Sequence, residues 1–159
     1  MTDTVSLIDT LAAQERALVF PAFDENAALD IGARLVTFAR HKAAPVVIDI
    51  RTPDRVLFHA ALPGSTPDND HWARRKSNVT LRYHRASMRV GETMRGKGQV
   101  VGPDLGLDPL DFASHGGSFP VRIKDSVVVA AITVSGLASI DDHNMIVAVL
   151  SEYLGVQTV

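Results

Sequence analysis

The chain of 159 residues contains no cysteine, which excludes disulfides, thiolate metal sites and a cysteine nucleophile and is compatible with a reducing cytoplasm. Aromatic residues make up only 6%, and Tyr83 is the only one inside the basic segment described below. A nucleic-acid strand would find no stacking platform there, so no nucleic-acid partner is expected. No apolar run approaches the ~20 residues that cross a bilayer, and no membrane partner is expected. The first residues hold Asp3 and Asp9 and no base before Arg16, unlike a signal peptide. The sequence therefore predicts a soluble, cytoplasmic protein. Also missing are GxGxxG, GxxxxGK followed by Ser or Thr, and HExxH, which removes the usual dinucleotide, P-loop and metalloprotease readings. No internal repeat or low-complexity tract occurs.

What is present is organised around His115 to Gly136, HGGSFPVRIKDSVVVAAITVSG. Two apolar runs flank a short polar break at Lys124-Asp125-Ser126, the pattern of a hairpin. The second run, Val127 to Val134, is apolar and β-branched almost throughout, so it reads as a central strand covered on both faces. The length fits one domain spanning residues 1–159, able to bury roughly two thirds of its unfolded surface.

Helical spacing predicts an amphipathic helix over residues 4–16, with Val5, Leu7, Ile8, Leu11 and Ala12 on one face, and a second over Glu25 to Arg40 capped by Asp24. A short strand is expected at Leu18 to Phe20. VVIDIRT and RVLFHAAL, joined at Pro53-Asp54, read as a second hairpin. The turn-rich stretch Pro63 to Asp70 leads to a helix capped by Asp68 or Asn69, with Trp72, Val79 and Tyr83 on one face. After a break near Arg85 to Ser87 a further helix runs to about Arg95. One helical turn is expected after Asp108. Ser139 with Asp142 resembles a capping box opening the last helix. Tight hairpins require antiparallel neighbours, so this order predicts an α/β (α+β) fold with an antiparallel sheet of about five strands and helices packed on it.

Eight of the sixteen Lys and Arg lie between Arg74 and Lys97, with Glu92 the only acid among them. This is either a solvated helical face or a surface for an anion or partner. Of the six histidines, none has close metal-ligand spacing. His59, Asp68, Asp70 and His71 can converge from a strand end, a loop and a helix start to bind a divalent cation or carry a proton, though Asp68 and Asp70 equally suit turn and cap positions. His115-Gly116-Gly117 can bring backbone amides and an imidazole to a ligand or simply form a tight turn. Ser135-Gly136 precedes the last helix, where Asp141 and Asp142 disfavour an anion, and Ser135 lacks the GxSxG setting of a nucleophile. Trp72, beside Arg74, Arg75 and Lys76, either stacks on a planar ligand or anchors its helix.

LVFPAFDENAALDIG, PGSTPDNDHWARRK, HGGSFP and ITVSGLASIDDH carry a family resemblance that covers nearly the whole chain. In them the sequence resembles an uncharacterised family of the haem-degrading-domain superfamily, the GlcG and HbpS-like proteins. The resemblance implies a profilin-like sandwich and a homo-oligomer. Haem is the cofactor it suggests, although no spacing among the histidines, Met88 and Met94 singles out an axial pair. The motif positions define a pocket hypothesis: His59, Asp68, Asn69, Asp70, His71, Trp72, Arg75, His115, Gly116, Gly117, Ser135 and Gly136. Two functions are consistent with this: a pocket at the hairpin ends for haem or another planar anionic ligand, or a non-enzymatic homo-oligomeric module without a haem role, favoured by the 46% apolar content. No catalytic or metal-ligating residue is designated.

Overall fold

The computed structural model describes residues 2–158, with side chains inside the helices and strands from residue 6 onward. Five helices appear among them: α1 (Thr2–Ala17), α2 (Glu25–His41), α3 (Pro67–Tyr83), α4 (Ser87–Gly96) and α5 (Ser139–Leu154). Four strands form one antiparallel sheet: β1 (Val47–Arg51), β2 (Val56–Ala61), β3 (Ser118–Arg122) and β4 (Val128–Ser135), in the order β2-β1-β4-β3. The two hairpins lie side by side. The run expected to be central is so, since β4 pairs with both β1 and β3. The expected strand at Leu18 to Phe20 is reduced to an isolated bridge from Phe20 to Ile123, which makes the sheet four-stranded. Pro21 follows at once and has no amide proton with which to extend a ladder. Val5, assigned to the apolar face of α1, has its side chain outside the described residues.

The faces of the sheet differ in chemistry. Ile48 and Ile50 of β1, Ala130, Ile132 and Val134 of β4, and Phe119 and Val121 of β3 enter one apolar core with Ala28, Ile31, Leu35 and Ala39 of α2 and Met145, Ile146, Val149 and Leu150 of α5. The period of two sends the intervening residues to the other face. There Asp49, Thr133 and Ser118 stand in register across three strands, beneath α3. Thr133 Oγ1 donates to Ser118 Oγ at 2.9 Å and shares a hydrogen bond with Ser77 Oγ of α3 at 2.8 Å. A buried polar row of this kind is tolerated because each member is satisfied, Thr133 and Ser118 by each other and Ser77, and Asp49 by Arg51 and His59.

Local chemistry sets the helix ends. Asp24 accepts from Ala27 N at 2.9 Å, as its position before α2 suggests. For α3 the cap is Thr66, not Asp68 or Asn69. Pro67 takes the first helical position, where its lack of an N–H costs nothing, and Asn69 reaches back to Thr66 N at 2.8 Å. Before α5 the cap is Ala138, with no side-chain capping bond; Asp142 instead accepts from Gly136 N at 3.3 Å and Leu137 N at 2.9 Å. The turn expected after Asp108 is present, with Asp111 N and Phe112 N donating to the Asp108 carbonyl, and a short 3₁₀ turn at Pro103–Leu105 precedes it.

Part of the basic segment is engaged in tertiary contacts, while Arg82, Arg85, Arg95 and Lys97 are exposed. Arg74 donates to Leu110 O and Asp111 Oδ1, Arg75 to Pro109 O, and Asn78 to Asp111 O. Farther along, Arg89 forms a two-pronged pair with Glu15 of α1. These residues fasten the 97–115 segment and α1 onto α3 and α4. A second apolar cluster, Val79, Val90, Met94 and Leu107, lies underneath. Gly91 permits the close approach of α4 to that segment, because a Cβ there would run into the Ser114 carbonyl oxygen. Gly→Ala inside a helix ordinarily stabilises by ~1 kcal/mol. Here Gly91→Ala is expected to destabilise by about 2 kcal/mol through overpacking, read as a lowered urea midpoint at unchanged slope.

Candidate functional site

Lys76, on the inner face of α3, is 3% exposed. Its ammonium donates to Val134 O at 2.7 Å, Gly116 O at 3.0 Å and Asp142 Oδ2 at 3.2 Å. The residue thus joins the end of β4, the approach to β3 and the first turn of α5. Burial pushes the Lys76 ammonium down and the Asp142 carboxyl up, and the charge of each restrains the shift of the other. Three acceptors around one nitrogen are the environment of a charged ammonium, so Lys76 is a pin and not a nucleophile. The glycines beside it have steric roles. A Cβ on Gly117, which has φ +127°, would meet Lys76 Nζ and the Val134 carbonyl; one on Gly116 would lie 2.6 Å from Ser139 O.

Around this pin opens a cavity of about 300 Å³, with Asn69, Trp72, His115, Ser135, Gly136, Leu137 and Ser139 in its wall beside Lys76 and Asp142. A second cavity of about 250 Å³ lies between α3, α4 and the 99–115 segment. His115 lines both. Its ring meets the Trp72 ring edge-on at 5.1 Å between centroids, and the Arg75 guanidinium covers Trp72 at 4.5 Å. Neither His115 ring nitrogen has a hydrogen-bond partner among the described residues. Burial and then the charges of Arg95, Lys76 and Arg75 hold its pKa below the usual 6.5. The imidazole is therefore neutral at pH 7, with a lone pair available.

His59 is in the opposite condition. Nδ1 lies 2.7 Å from Asp49 Oδ2 and Nε2 lies 2.8 Å from Asp70 Oδ1. The buried Asp49 also accepts from Arg51 Nε and Nη2 at 2.6 and 2.7 Å. Desolvation lowers the His59 pKa, but the hydrogen bonds and charges of its two carboxylates outweigh this and raise it above 6.5. With both nitrogens engaged, His59 clamps the edge strand β2 to the start of α3. Asp68 and His71 are exposed on the first turns of α3 and line neither cavity. Among the described residues, no three His, Asp or Glu converge to hold a metal ion.

The structure thus gathers Asn69, Trp72, Arg75, His115, Ser135 and Gly136 in the walls of the paired cavities, buries Gly116 and Gly117 beside the Lys76 pin, and sets His59 and Asp70 apart. Ser135 reaches the cavity without a hydrogen-bonded base among the described residues, so nothing activates it as a nucleophile. Sequence reasoning passed over Lys76 and Asp142, since a lysine amid other cations and an acid in the first turn of a helix both look like surface residues. The one available signal was that Lys76 lies four residues after Trp72 and three before Val79, on the inward face. Asp49, flanked by the apolar Val47, Ile48 and Ile50 of β1, carried a plainer signal.

Residues 23–151 match the family described as haem degrading protein HbpS-like. A UPF0303 protein of Streptomyces coelicolor is 47% identical over 152 residues, covering 96% of each chain. The crystal structure of Ybr137w superposes with a TM-score of 0.87 at 27% identity, over 98% of this chain and 92% of that one. The PduOC–haem complex superposes at 0.70 with 16% identity, over 86% and 98%, a likeness of fold. No helix among the described residues is long and apolar enough to cross a membrane.

Removing one partner of a buried ion pair strands the other. Lys76→Met is therefore expected to cost about 3 kcal/mol, and Lys76→Met with Asp142→Leu to cost less than Lys76→Met alone, as measured by denaturant unfolding.

Proposed function

The chain belongs to the HbpS-like haem-degrading protein family, and from that membership and the cleft around His115 we propose that it binds a planar, anionic small molecule, with haem the first candidate. The observation that carries this reading is His115: a neutral imidazole without a hydrogen-bond partner among the described residues, in the shared wall of two cavities. Such a nitrogen suits a haem iron or a ligand N–H. Trp72 offers an apolar edge, and Arg75 and Arg95 lie on the same side to meet carboxylates such as haem propionates. Bound haem would supply its own redox chemistry; the protein's part is to hold the ring and exclude water around it. The haem carried by the PduOC relative supports the idea at the level of the fold.

A homo-oligomeric module is a second reading, favoured by the open outer edge of β2, where Val56 is 48% exposed. The two are compatible, because a second copy can close a cleft that is open on one side.

Haemin titration of the purified protein, followed at the Soret band, separates the two histidines. Saturable, stoichiometric binding is expected for the wild type and for His59→Ala, with at least about tenfold weaker binding for His115→Ala. Equal, unsaturated uptake by all three proteins would refute the haem reading.

A further inference from the structure

The second cavity has a composition of its own. Its floor and sides are Met94, Val101, Phe112 and Ala113, an apolar surface continuous with the small cluster beneath α4. At its rim stand Arg75, Arg95 and His115. Arg75 is half-buried, and its Nε is fixed by Pro109 O at 3.0 Å while its plane lies over Trp72. The two terminal nitrogens of that guanidinium have no hydrogen-bond partner among the described residues, and no described carboxylate pairs with it. This contrasts with Arg51, Arg74 and Arg89, whose forks meet Asp49, Asp111 and Glu15. Arg95 is paired with Glu92 at the exposed mouth. Burial and then the positive charges of Arg95, Lys76 and Arg75 hold the His115 pKa down at this wall.

An orientated planar fork above an apolar floor is complementary to a flat molecule ending in a carboxylate. A carboxylate accepts two parallel N–H bonds from one guanidinium, whereas a neutral amide cannot take both in the same way. A bare inorganic anion would leave the floor of Met94, Val101 and Phe112 uncovered. We propose that this second cavity is a subsite for a small aromatic carboxylic acid, its carboxylate on the free edge of Arg75 and its ring against Met94, Val101 and Phe112. The inference rests on the cleft being a ligand site, and not on haem being the ligand. Arg75 is fixed before any ligand arrives, so little ordering accompanies the pairing.

Trp72 is the only tryptophan in the chain. It lies against Arg75 and in the wall of the first cavity, so its emission responds to a ligand in either cavity, and the Arg75 and Arg95 variants, at residues that line only the second, assign the response. Titration of the intact protein with phenylacetate, excited at the red edge of tryptophan absorption, is expected to give a saturable change. Phenylacetamide, the neutral isostere, should bind about tenfold more weakly or worse, the loss of one charge-assisted interaction. Inorganic phosphate should give no comparable response. Arg75→Lys keeps the charge but loses the fork and should weaken phenylacetate about tenfold; Arg95→Gln, at an exposed position, should weaken it a few-fold. Equal binding of acid and amide, an equal response to phosphate, or no saturable response up to millimolar phenylacetate would overturn the proposal. A haemin titration on the same preparation separates the two claims. Haemin bound through His115 without any phenylacetate response removes the subsite and leaves the haem reading standing. A phenylacetate response without haemin binding removes haem and leaves the subsite.

Discussion

Everything about the cleft depends on one buried ammonium. Removing a lysine head group from water costs several kcal/mol unless its protons find acceptors, and Lys76 finds three on three different elements. The end of β4, the approach to β3 and the start of α5 cannot separate without exposing that unmet cost. Asp142 is fixed in turn and accepts the amides of Gly136 and Leu137, so the corner after β4 is ordered by the same group. Gly117 follows from this constraint, since a Cβ there collides with the pin and its partners Val134 and Asp142, while a Cβ on Gly116 would run into Ser139 at the start of α5. The position of His115 is the result: the residue just before those glycines is held at the rim while its ring remains unbonded.

The two histidines in the candidate motifs are thereby given opposite states by their surroundings. His59 sits between two carboxylates that raise its pKa and does structural work at the sheet edge. His115 faces three cations, loses its proton easily and keeps its nitrogens free. Charge complementarity closes the first site to a ligand, while charge repulsion at the second favours a ligand that brings negative charge. His143 is a third case, buried beside Phe119 with Nε2 2.7 Å from Gln14 Oε1 and a pKa pushed down to about 4 by desolvation. It belongs to the core.

Elements with strong local patterns were legible in the sequence. Both hairpins, the central position of β4 and the cap at Asp24 follow from apolar runs, turn residues and an Asx before a periodic segment. The residues that failed were those whose role is decided by distant partners. Pro67 reads as loop until Thr66 is seen capping and Asn69 bonding back. Lys76 reads as one cation among eight, and only its helical spacing from Trp72 and Val79 hints that it points at the sheet. The basic run as a whole reads as a surface, whereas Arg74 and Arg75 hold carbonyls and a carboxylate more than thirty residues along the chain. Of the candidate site, the grouping of Trp72 and Arg75 with His115 was legible as a family motif; the separation of His59 from that group was not, since spacing carries no information about which side of α3 a strand lies on.

The claim most exposed to refutation is that His115, and not His59, is the neutral, ligand-ready imidazole. Ring-resolved NMR titration of the histidines, with and without haemin, measures this directly. The account requires His115 to titrate below 6.5 and His59 above it, with haemin broadening or shifting the His115 ring while the His59 ring stays unchanged. A His115 midpoint above 6.5, or a haemin effect confined to His59, would contradict it.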